Sequence, residues 1–393
     1  MSTTFEKVRR AYTGLSLLLL NTLFLLIIMY AVLEIAAGWL LKKYNSTVDT
    51  ATVGVIDAGY NGRAWKDQYF KDAAAYQASS QGRKVFEPYS MWKNPDFTSQ
   101  TLNVVNGYRK TTNPSYSQAD SVIKVFVMGA STLFCIEVPD EFTIASQVSK
   151  ELHKAFPGKK FEVSSYGSSG FVNEQEAFLL SKLLIAGKRP DIVLFYDGAN
   201  DTRMQVGMSR PIPHAFFELY DQIFRSIKER LWANMVWKSS LLTLVMKYRT
   251  DDDKFEQNPA ILKPRAEEIC RRYASTIEYG NNLAKAYGFR VAFFWQPTLL
   301  TVKKPMLEPE KALLDLSTKQ FGPCYTIMEE TVNKNIFQNP SFSQKSIAFN
   351  ITSALDSVQE SVYLDSVHLT AEGNGKVAEK IVETLKTNGF IQQ

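Results

Sequence analysis

Ser131 and His368 are the residues of this chain whose types and surroundings could perform nucleophilic chemistry. Ser131 stands in Gly129-Ala130-Ser131-Thr132 at the end of the apolar run Val125–Met128, and Asp365 precedes His368 by three residues. A serine hydroxyl is a weak nucleophile unless a base takes its proton and a third group orients that base. The pattern predicts Ser131 as nucleophile, His368 as base and Asp365 as its partner. The alternatives are a serine that only caps a helix and an ordinary surface Asp–His pair.

Two further segments could supply hydrogen-bond donors to a developing oxyanion. They are Tyr166-Gly167-Ser168-Ser169-Gly170 and Asp197-Gly198-Ala199-Asn200-Asp201. A glycine lets a backbone N–H approach a substrate closely, and an asparagine amide offers a second donor. The predicted oxyanion hole therefore consists of Gly167, Asn200 and the backbone N–H of Ser131. The alternatives are a glycine that only forms a turn and an asparagine that only caps a helix.

Strands that alternate with helices must position these segments. The predicted strands are Lys124–Met128, Phe161–Ser165, Ile192–Tyr196 and Arg290–Trp295. The predicted helices are Phe142–Ala155, Asn173–Leu184, Pro264–Tyr287 and Ala371–Lys386. This alternation predicts an α/β fold, a three-layer α/β/α doubly wound parallel sheet of flavodoxin-like type. In such sheets ligands bind beyond the carboxyl ends of the strands. The four segments that carry Ser131, Gly167, Asn200 and the Asp365–His368 pair each lie at the end of a predicted strand or just before a helix.

The amino terminus carries an apolar run that suits a membrane. Leu15–Leu33 is almost wholly apolar, and its 19 residues would span roughly 28 Å as a helix. Apolar residues continue to Lys42-Lys43, beyond the length of a cleaved signal peptide, which predicts an uncleaved transmembrane anchor at 15–41. Three basic residues precede the run and two follow it, so we expect residues 1–14 in the cytoplasm and the catalytic domain on the extracytoplasmic side. Glu34 is expected at the headgroup level.

The remaining chain divides by composition. Residues 42–120 carry scattered turn signals and are predicted to form an extended stalk and an accessory segment. Residues 121–393 form the predicted catalytic domain, with a helical insert at about 206–258. Aromatic residues recur at helical spacing in that insert, so it is interpreted as a helical subdomain, a lid or a helix on the bilayer surface. Asp251-Asp252-Asp253 is interpreted as a solvated loop.

Composition excludes several other classes. The net charge of +5 is small for 393 residues and no basic cluster is present, so no nucleic-acid partner is expected. The three cysteines lack CxxC spacing and no HxxxH pair occurs among the three histidines, so no metal site is predicted. No cofactor is predicted either.

The order and types of the four segments resemble the SGNH (GDSL-like) hydrolase family of esterases and lipases, over residues 123–386. The matching residues are Gly129-Ala130-Ser131, Gly167, Gly198-Ala199-Asn200-Asp201 and Asp365 with His368. The resemblance implies Ser131 as nucleophile, His368 and Asp365 as its triad partners, and Gly167 and Asn200 in the oxyanion hole. Ala130 departs from the family, which has Asp there outside the triad.

Three functions remain open from the sequence. The first is a membrane-anchored serine esterase that acts on an acylated extracytoplasmic glycan or lipid. The second is an O-acyltransferase that uses the same residues with a sugar hydroxyl as acceptor. The third is an inactive relative that binds glycan or partner proteins at the membrane.

Overall fold

The structure is a computed structural model that describes residues 2–60, 62–80, 84–117, 121–215, 217, 239–249, 255–343 and 347–391. The strands are β1 (Val85–Glu87), β2 (Met91–Lys93), β3 (Val104–Val105), β4 (Tyr108–Arg109), β5 (Val122–Gly129), β6 (Lys160–Gly167), β7 (Ile192–Asp197), β8 (Arg290–Trp295) and β9 (Ala348–Asn350). The α-helices are α1 (Ser2–Tyr60), α2 (Lys66–Ser80), α3 (Ser131–Phe134), α4 (Ile144–Ala155), α5 (Asn173–Ile185), α6 (Ser240–Arg249), α7 (Pro259–Tyr287), α8 (Glu308–Val332), α9 (Pro340–Ser343) and α10 (Ala371–Thr387). A π-helical segment, Asp201–Gly207, follows β7.

The chain divides into two units, and the larger one, residues 52–217 with 252–393, is built on a parallel sheet. Its strands lie in the order β6-β5-β7-β8-β9, all parallel. Counted along the chain, this is the order 2-1-3-4-5 of flavodoxin-like sheets, which bind ligands where the order reverses. Gly129 at the end of β5 pairs with Gly167 on one side and Tyr196 on the other. The loops that follow β5, β6 and β7 therefore begin side by side.

Helices cover both faces of this sheet. Val125 and Val127 of β5 share a core with Val148 of α4 and Ile381 of α10. On the opposite face α7 packs so closely that a Cβ at Gly280 would lie 2.7 Å from the ring of Phe293. Helices α5 and α8 pack against α7 on that side. The predicted three-layer α/β/α architecture is confirmed.

Several element boundaries differ from the predictions. Strand β9 was not predicted, because three edge residues carry too little pattern, and α8 was not predicted either. Helix α7 begins at Pro259 rather than Pro264, since Asn258 accepts a hydrogen bond from the N–H of Ala260 and proline is tolerated in a first helical turn. Ser131 does not cap α3: the cap position is Ala130, and no side chain caps the helix.

The predicted extended stalk is helical where it begins. Helix α1 continues to Tyr60, and α2 follows after a break at which Gly62 has φ +78°. Three consecutive alanines favour helix in α2. Tyr69 of α2 is buried in a cluster that includes Phe134, the last residue of α3. The accessory segment therefore packs against the helix that carries Ser131.

The smaller unit comprises residues 1–51 and 218–251. Within α1, residues Thr3–Leu40 are long and apolar enough to cross a membrane by length and composition, with a mean hydropathy of 2.4 over the most apolar window. Glu34 accepts hydrogen bonds from the hydroxyl of Ser239 (2.7 Å) and from the backbone N–H groups of Ser240 and Leu241 at the start of α6. Tyr30 donates to the Ser239 hydroxyl over 3.0 Å. Glu34 was expected only as a residue at the headgroup level, because its partners lie about 200 residues away in the sequence.

About half of the predicted helical insert at 206–258 lies outside the described residues. Residues 216, 218–238 and 250–254, which include most of its aromatic positions and the three consecutive aspartates, are among those that the structure does not describe. Helix α6 lies within its range. Its interpretation as a lid or as a helix on the bilayer surface stays a prediction.

Candidate active site

The side chains of Ser131, His368 and Asp365 form a continuous row. Nε2 of His368 lies 3.0 Å from Oγ of Ser131, and Nδ1 lies 2.6 Å from Oδ2 of Asp365. When Nδ1 carries the proton and donates it to the carboxylate, the lone pair of Nε2 faces the serine hydroxyl. This arrangement can take a proton from Ser131.

The loop that carries Asp365 and His368 is held by its own backbone. Oδ1 of Asp365 accepts hydrogen bonds from the N–H groups of Val367 (2.8 Å) and His368 (2.7 Å). Loss of surrounding water would raise the pKa of Asp365, but the imidazole of His368 and these N–H groups outweigh it and hold that pKa well below its usual value. Asp365 is therefore ionised when it orients His368.

A buried ion pair holds the backbone just before this loop. The side chains of Lys304 and Glu310 are both 0% exposed and form a salt bridge. Oε1 of Glu310 also accepts hydrogen bonds from the N–H groups of Val362 (2.7 Å) and Tyr363 (3.0 Å), just before Asp365. The pair thus positions the segment that leads into the Asp365–His368 loop.

The chain after α3 is held by Arg109. Its guanidinium donates to the carbonyls of Cys135 (2.7 Å) and Val138 (2.9 Å) and to the carboxylate of Asp140 (2.9 Å). From the accessory segment, Tyr60 donates to the carbonyl of Glu137 over 2.7 Å. The planar guanidinium of Arg109 and the buried hydroxyl of Tyr60 together hold residues 135–140 in their conformation.

Glu137, on that segment, is a second carboxylate at His368. Its Oε1 lies 3.8 Å from Nε2, the nitrogen that faces Ser131. Burial lowers the pKa of His368, but the negative charges of Glu137 and Asp365 outweigh burial and raise it to about 9. Burial also raises the pKa of Glu137 above its usual value, although His368 opposes this. The protonated imidazole is therefore favoured at neutral pH.

Asn200 lies at a small cavity beside Ser131. The cavity measures about 10 Å³, room for about one water-sized group, and is lined by residues that include Ser131, Asn200 and Gln296. One N–H of the Asn200 amide donates to the carbonyl of Phe171 over 2.8 Å, which leaves the second for another acceptor. The structure brings Asn200 to the nucleophile.

Gly167 lies against the nucleophile helix. A Cβ at this position would lie 2.7 Å from the backbone nitrogen of Phe134 and 2.9 Å from the carbonyl carbon of Leu133. Only a residue without a side chain allows β6 and α3 to approach this closely. The close approach places the Gly167 backbone beside the segment that starts at Ser131, and its part in an oxyanion hole stays a prediction.

Three carboxyl groups are buried beneath the turn that carries Asn200. Asp197 accepts hydrogen bonds from Tyr273 and Asn173, both at 2.5 Å. Burial raises the pKa of Asp197 to about 8 and that of Asp201 to about 6. Neither carboxyl oxygen of Glu176 meets a donor among the described residues, and burial followed by the charge of Asp197 raises its pKa well above the usual value. A proton on one of these groups would let Glu176 and Asp197 share a hydrogen bond.

Among the residues that the structure describes, no group of three or more His, Cys, Asp and Glu side chains could hold a metal ion. The three cysteines are buried and unpaired with each other. Burial raises the pKa of Cys135 to about 12, so its thiol stays protonated beside α3.

Sequence reasoning missed Glu137, the Lys304–Glu310 pair and Arg203, an arginine three residues after Asn200. Glu137 and Lys304 lie in loops, Glu310 in the first turn of α8 and Arg203 in a π-helical segment, and at such positions no periodicity indicates which side chains point to the site. The only signal near Glu137 was its position six residues after Ser131.

Comparisons with known proteins found structural likeness only. No family model matches the sequence, and a search of curated proteins finds no match. The lipase Lip_vut3 from a goat rumen metagenome is similar with a TM-score of 0.37 and 10% identity, over 67% of this chain and 97% of that chain. A member of the lipolytic protein G-D-S-L family from Veillonella parvula is similar with a TM-score of 0.35 and 9% identity, over 68% of this chain and 99% of that chain.

The acetylxylan esterase Axe2 from Geobacillus stearothermophilus gives a TM-score of 0.31 and 15% identity, over 67% of this chain and 94% of that chain. Identities of 9–15% and TM-scores of 0.31–0.37 carry no argument about activity. Function is therefore derived from the geometry of the site.

Proposed function

We propose that this chain is a serine hydrolase that cleaves ester bonds with Ser131, His368 and Asp365, as the SGNH-type order of its motifs implies. The observation that carries the proposal is the continuous row of contacts, 3.0 Å from Ser131 Oγ to His368 Nε2 and 2.6 Å from Nδ1 to Asp365. An activated serine needs this arrangement of nucleophile, base and orienting carboxylate.

In the proposed reaction Oγ of Ser131 attacks the ester carbonyl carbon while Nε2 of His368 takes the hydroxyl proton. The tetrahedral intermediate then collapses, and the proton passes from Nε2 to the leaving alkoxide, which departs as an alcohol. Water next attacks the acyl-serine, again with His368 as base, and releases the carboxylic acid and free Ser131. Asp365 stays ionised throughout and stabilises the imidazolium.

The charge on the former carbonyl oxygen needs donors at its final position. The free N–H of the Asn200 amide and the backbone N–H groups of Ser131 and Gly167 are the proposed donors. Such a donor typically contributes roughly 2.7–4 kcal/mol to the stabilisation of the transition state. The position of Asn200 at the cavity beside Ser131 supports its part in this role.

The test uses the full chain in detergent micelles with 4-nitrophenyl acetate and a fluorophosphonate probe. The wild-type chain is expected to hydrolyse the ester and to be labelled at Ser131, and Ser131→Ala to lose labelling and at least roughly 10³-fold in kcat. Circular dichroism checks that the variant is folded. A folded Ser131→Ala chain that keeps full activity would show that the nucleophile is another residue.

We further propose that residues 15–41 anchor the enzyme in a membrane, with the catalytic unit on the extracytoplasmic side, acting on an acylated glycan or lipid. The apolar character of α1 supports the anchor. A carboxyl-terminal reporter that matures only in the cytoplasm is expected to stay silent, and a bright reporter would contradict the sidedness.

Whether the acyl group passes to water or to a sugar hydroxyl is tested by measuring how much of each product forms. With a sugar added to the esterase assay, hydrolysis predicts free carboxylic acid as the only product. Accumulation of acylated sugar at the expense of acid would instead assign the chain as an O-acyltransferase.

A further inference from the structure

Arg203 is an exposed arginine on the π-helical segment that follows Asn200. Its guanidinium carbon lies 5.3 Å from the ring centre of Phe321 and 5.7 Å from that of Phe255. The two rings pack edge to face with centres 4.7 Å apart. Cation–π attraction to both rings restricts the guanidinium although it faces solvent.

No hydrogen-bond acceptor or carboxylate among the described residues engages this guanidinium. Other arginines of the same unit differ in this respect: Arg109 bonds carbonyls and Asp140, Arg265 bonds the carbonyl of Met208, and Arg272 pairs with Glu174. A guanidinium held by its face against rings keeps its N–H edge for a planar, bidentate anion.

Arg203 also lies near the candidate active site. Tyr325, whose ring lies 6.3 Å from that of Phe321, donates to the carbonyl of Ala199 over 3.3 Å, so the aromatic pair and the Asn200 turn are packed together. The positive charge of Arg203 lowers the pKa of His368, against the effect of Glu137 and Asp365. Its charge is therefore within electrostatic reach of the catalytic base.

Resting on the proposed esterase function, we propose that Arg203 binds an anionic group, a carboxylate or phosphate, carried by the ester substrate. The two rings hold the guanidinium in place before the substrate arrives, which reduces the side-chain entropy lost on binding. Glu137 lies at Nε2 of His368, where a second anion would be repelled. The site would thus accept negative charge at Arg203 and disfavour it at Glu137.

An arginine that only covers the buried ring of Phe321 and the half-buried ring of Phe255 is the competing interpretation. In that case the guanidinium would make no distinction between charged and neutral substrates. The charge of the substrate is therefore the variable that separates the two.

The kinetic test compares wild type, Arg203→Gln and Arg203→Lys on four esters. Mono-4-nitrophenyl glutarate carries a carboxylate on the acyl side, 4-acetoxybenzoate carries one on the leaving group, 4-acetoxyphenyl phosphate carries a phosphate there, and methyl 4-acetoxybenzoate is neutral. We expect Arg203→Gln to lower kcat/KM for at least one anionic ester roughly tenfold or more relative to the neutral ester, mainly through KM. The ester that responds identifies the side of the bond and the anion, and Arg203→Lys should restore part of the loss.

Arg189→Gln is the matched control. Arg189 also lies over a ring, 5.2 Å from the centre of Tyr287, but it precedes the start of β7 at the opposite edge of the sheet. This variant is expected to change neither the charged nor the neutral reaction. Equal losses on all four esters in Arg203→Gln, or no loss on any of them, would overturn the proposal.

A binding measurement separates this proposal from the proposed function. In the Ser131→Ala background, titration calorimetry should show that 4-acetoxybenzoate or 4-acetoxyphenyl phosphate binds roughly tenfold more weakly when Arg203→Gln is added. If the wild-type chain shows no esterase activity but binding in this background depends on Arg203, the role of Arg203 is supported and only the esterase function is rejected. If the wild-type chain is an active esterase but Arg203→Gln does not weaken the binding of the anionic esters, only the role of Arg203 is rejected.

Discussion

Oε1 of Glu137 lies 3.8 Å from Nε2 of His368, so two carboxylates, Glu137 and Asp365, face the two nitrogens of one imidazole. Each negative charge favours the imidazolium, which is the product of proton transfer from Ser131. The same charges also favour the imidazolium in the free enzyme, where it cannot act as a base. Glu137 therefore sets a balance between stabilising the intermediate and keeping the base available.

The first prediction concerns pH. The pKa of His368 is raised to about 9, so kcat/KM should rise with pH, reach half of its plateau near that value and level off above it as the neutral imidazole forms. Glu137→Gln removes one of the charges that raise this pKa, so the midpoint should move down by roughly one pH unit, with a gain of up to roughly tenfold at pH 7. The measurement is a pH profile of kcat/KM for a neutral ester.

Glu141→Gln serves as the control, since Glu141 is exposed four residues further on. Its profile should superimpose on that of the wild type. A Glu137→Gln profile that drops at every pH without a moved midpoint would mean that Glu137 contacts the reacting groups directly.

The second prediction concerns the close approach of Gly167 to α3. In Gly167→Ala the added Cβ would meet the backbone of Phe134 and Leu133 at 2.7 and 2.9 Å, so α3 and Ser131 must shift. We expect kcat to fall roughly 10²-fold and the free energy of unfolding to fall by about 1–3 kcal/mol, measured by kinetics and urea unfolding.

Gly158→Ala is a matched substitution, because a Cβ there would meet no atom within 4 Å. It should leave both quantities within error of the wild type. If Gly167→Ala kept full activity, the spacing between β6 and α3 would not limit the position of the nucleophile.

The third prediction concerns the buried pair of Lys304 and Glu310. Glu310→Gln leaves the charge of Lys304 buried without its counterion, which should lower the free energy of unfolding by about 3–5 kcal/mol. The double variant Lys304→Met/Glu310→Gln removes both charges, and the remaining amide oxygen can still accept from Val362 and Tyr363. It should recover a large part of the stability and of kcat.

Urea unfolding and esterase kinetics on the single and double variants form a thermodynamic cycle. A double variant as unstable as Glu310→Gln would show that the negative charge at the backbone of Val362 and Tyr363, rather than the pair, holds the loop.

The fourth prediction concerns the buried carboxyl groups below Asn200. Because the pKa values of Glu176, Asp197 and Asp201 are raised by burial, the folded state binds these protons more tightly than the unfolded state. Their contribution to stability is fully present below pH 4 and is lost as pH rises through about 6 to 8. Glu176→Gln should therefore raise stability at pH 8.5 by about 1–3 kcal/mol, and much less at pH 5.

The readout is the melting temperature of both chains between pH 5 and pH 9. Since the pKa of His368 is also raised, stability falls over part of this range in both chains, and the difference between them isolates Glu176. A difference that does not change with pH would assign the carboxyl groups no role in the pH dependence.

The sequence predicted the sheet well where strands are long and buried. β5, β7 and β8 are continuous apolar runs that end at glycine or polar residues, and parallel strands bring such ends together. The segments of Ser131 and Asn200 could thus be expected at one edge. The three residues of β9 at the edge of the sheet carry no comparable pattern.

The sequence did not predict the features that depend on contacts between residues far apart along the chain. Residues 42–60 continue α1 instead of forming an extended stalk, and the helix ends directly before the first turn signal of that segment, Asn61-Gly62. Glu137 and Arg203 lie in irregular segments whose side-chain directions follow from packing against Arg109 or Phe321. Such packing is a property of the assembled fold, and spacing along the chain does not encode it.

The carboxylate of Glu34 has a practical consequence for purification. Removing the apolar helix to make a soluble protein would also remove the acceptor for the N–H groups of Ser240 and Leu241 and expose the start of α6. The Ser239 hydroxyl would still accept from the N–H of Leu242, but a first turn with two N–H groups left without an acceptor beside half-buried leucines favours aggregation. Shortened chains that precipitate would then report the loss of Glu34 rather than a defect of the catalytic unit, and a Glu34→Gln full-length chain would separate the two causes.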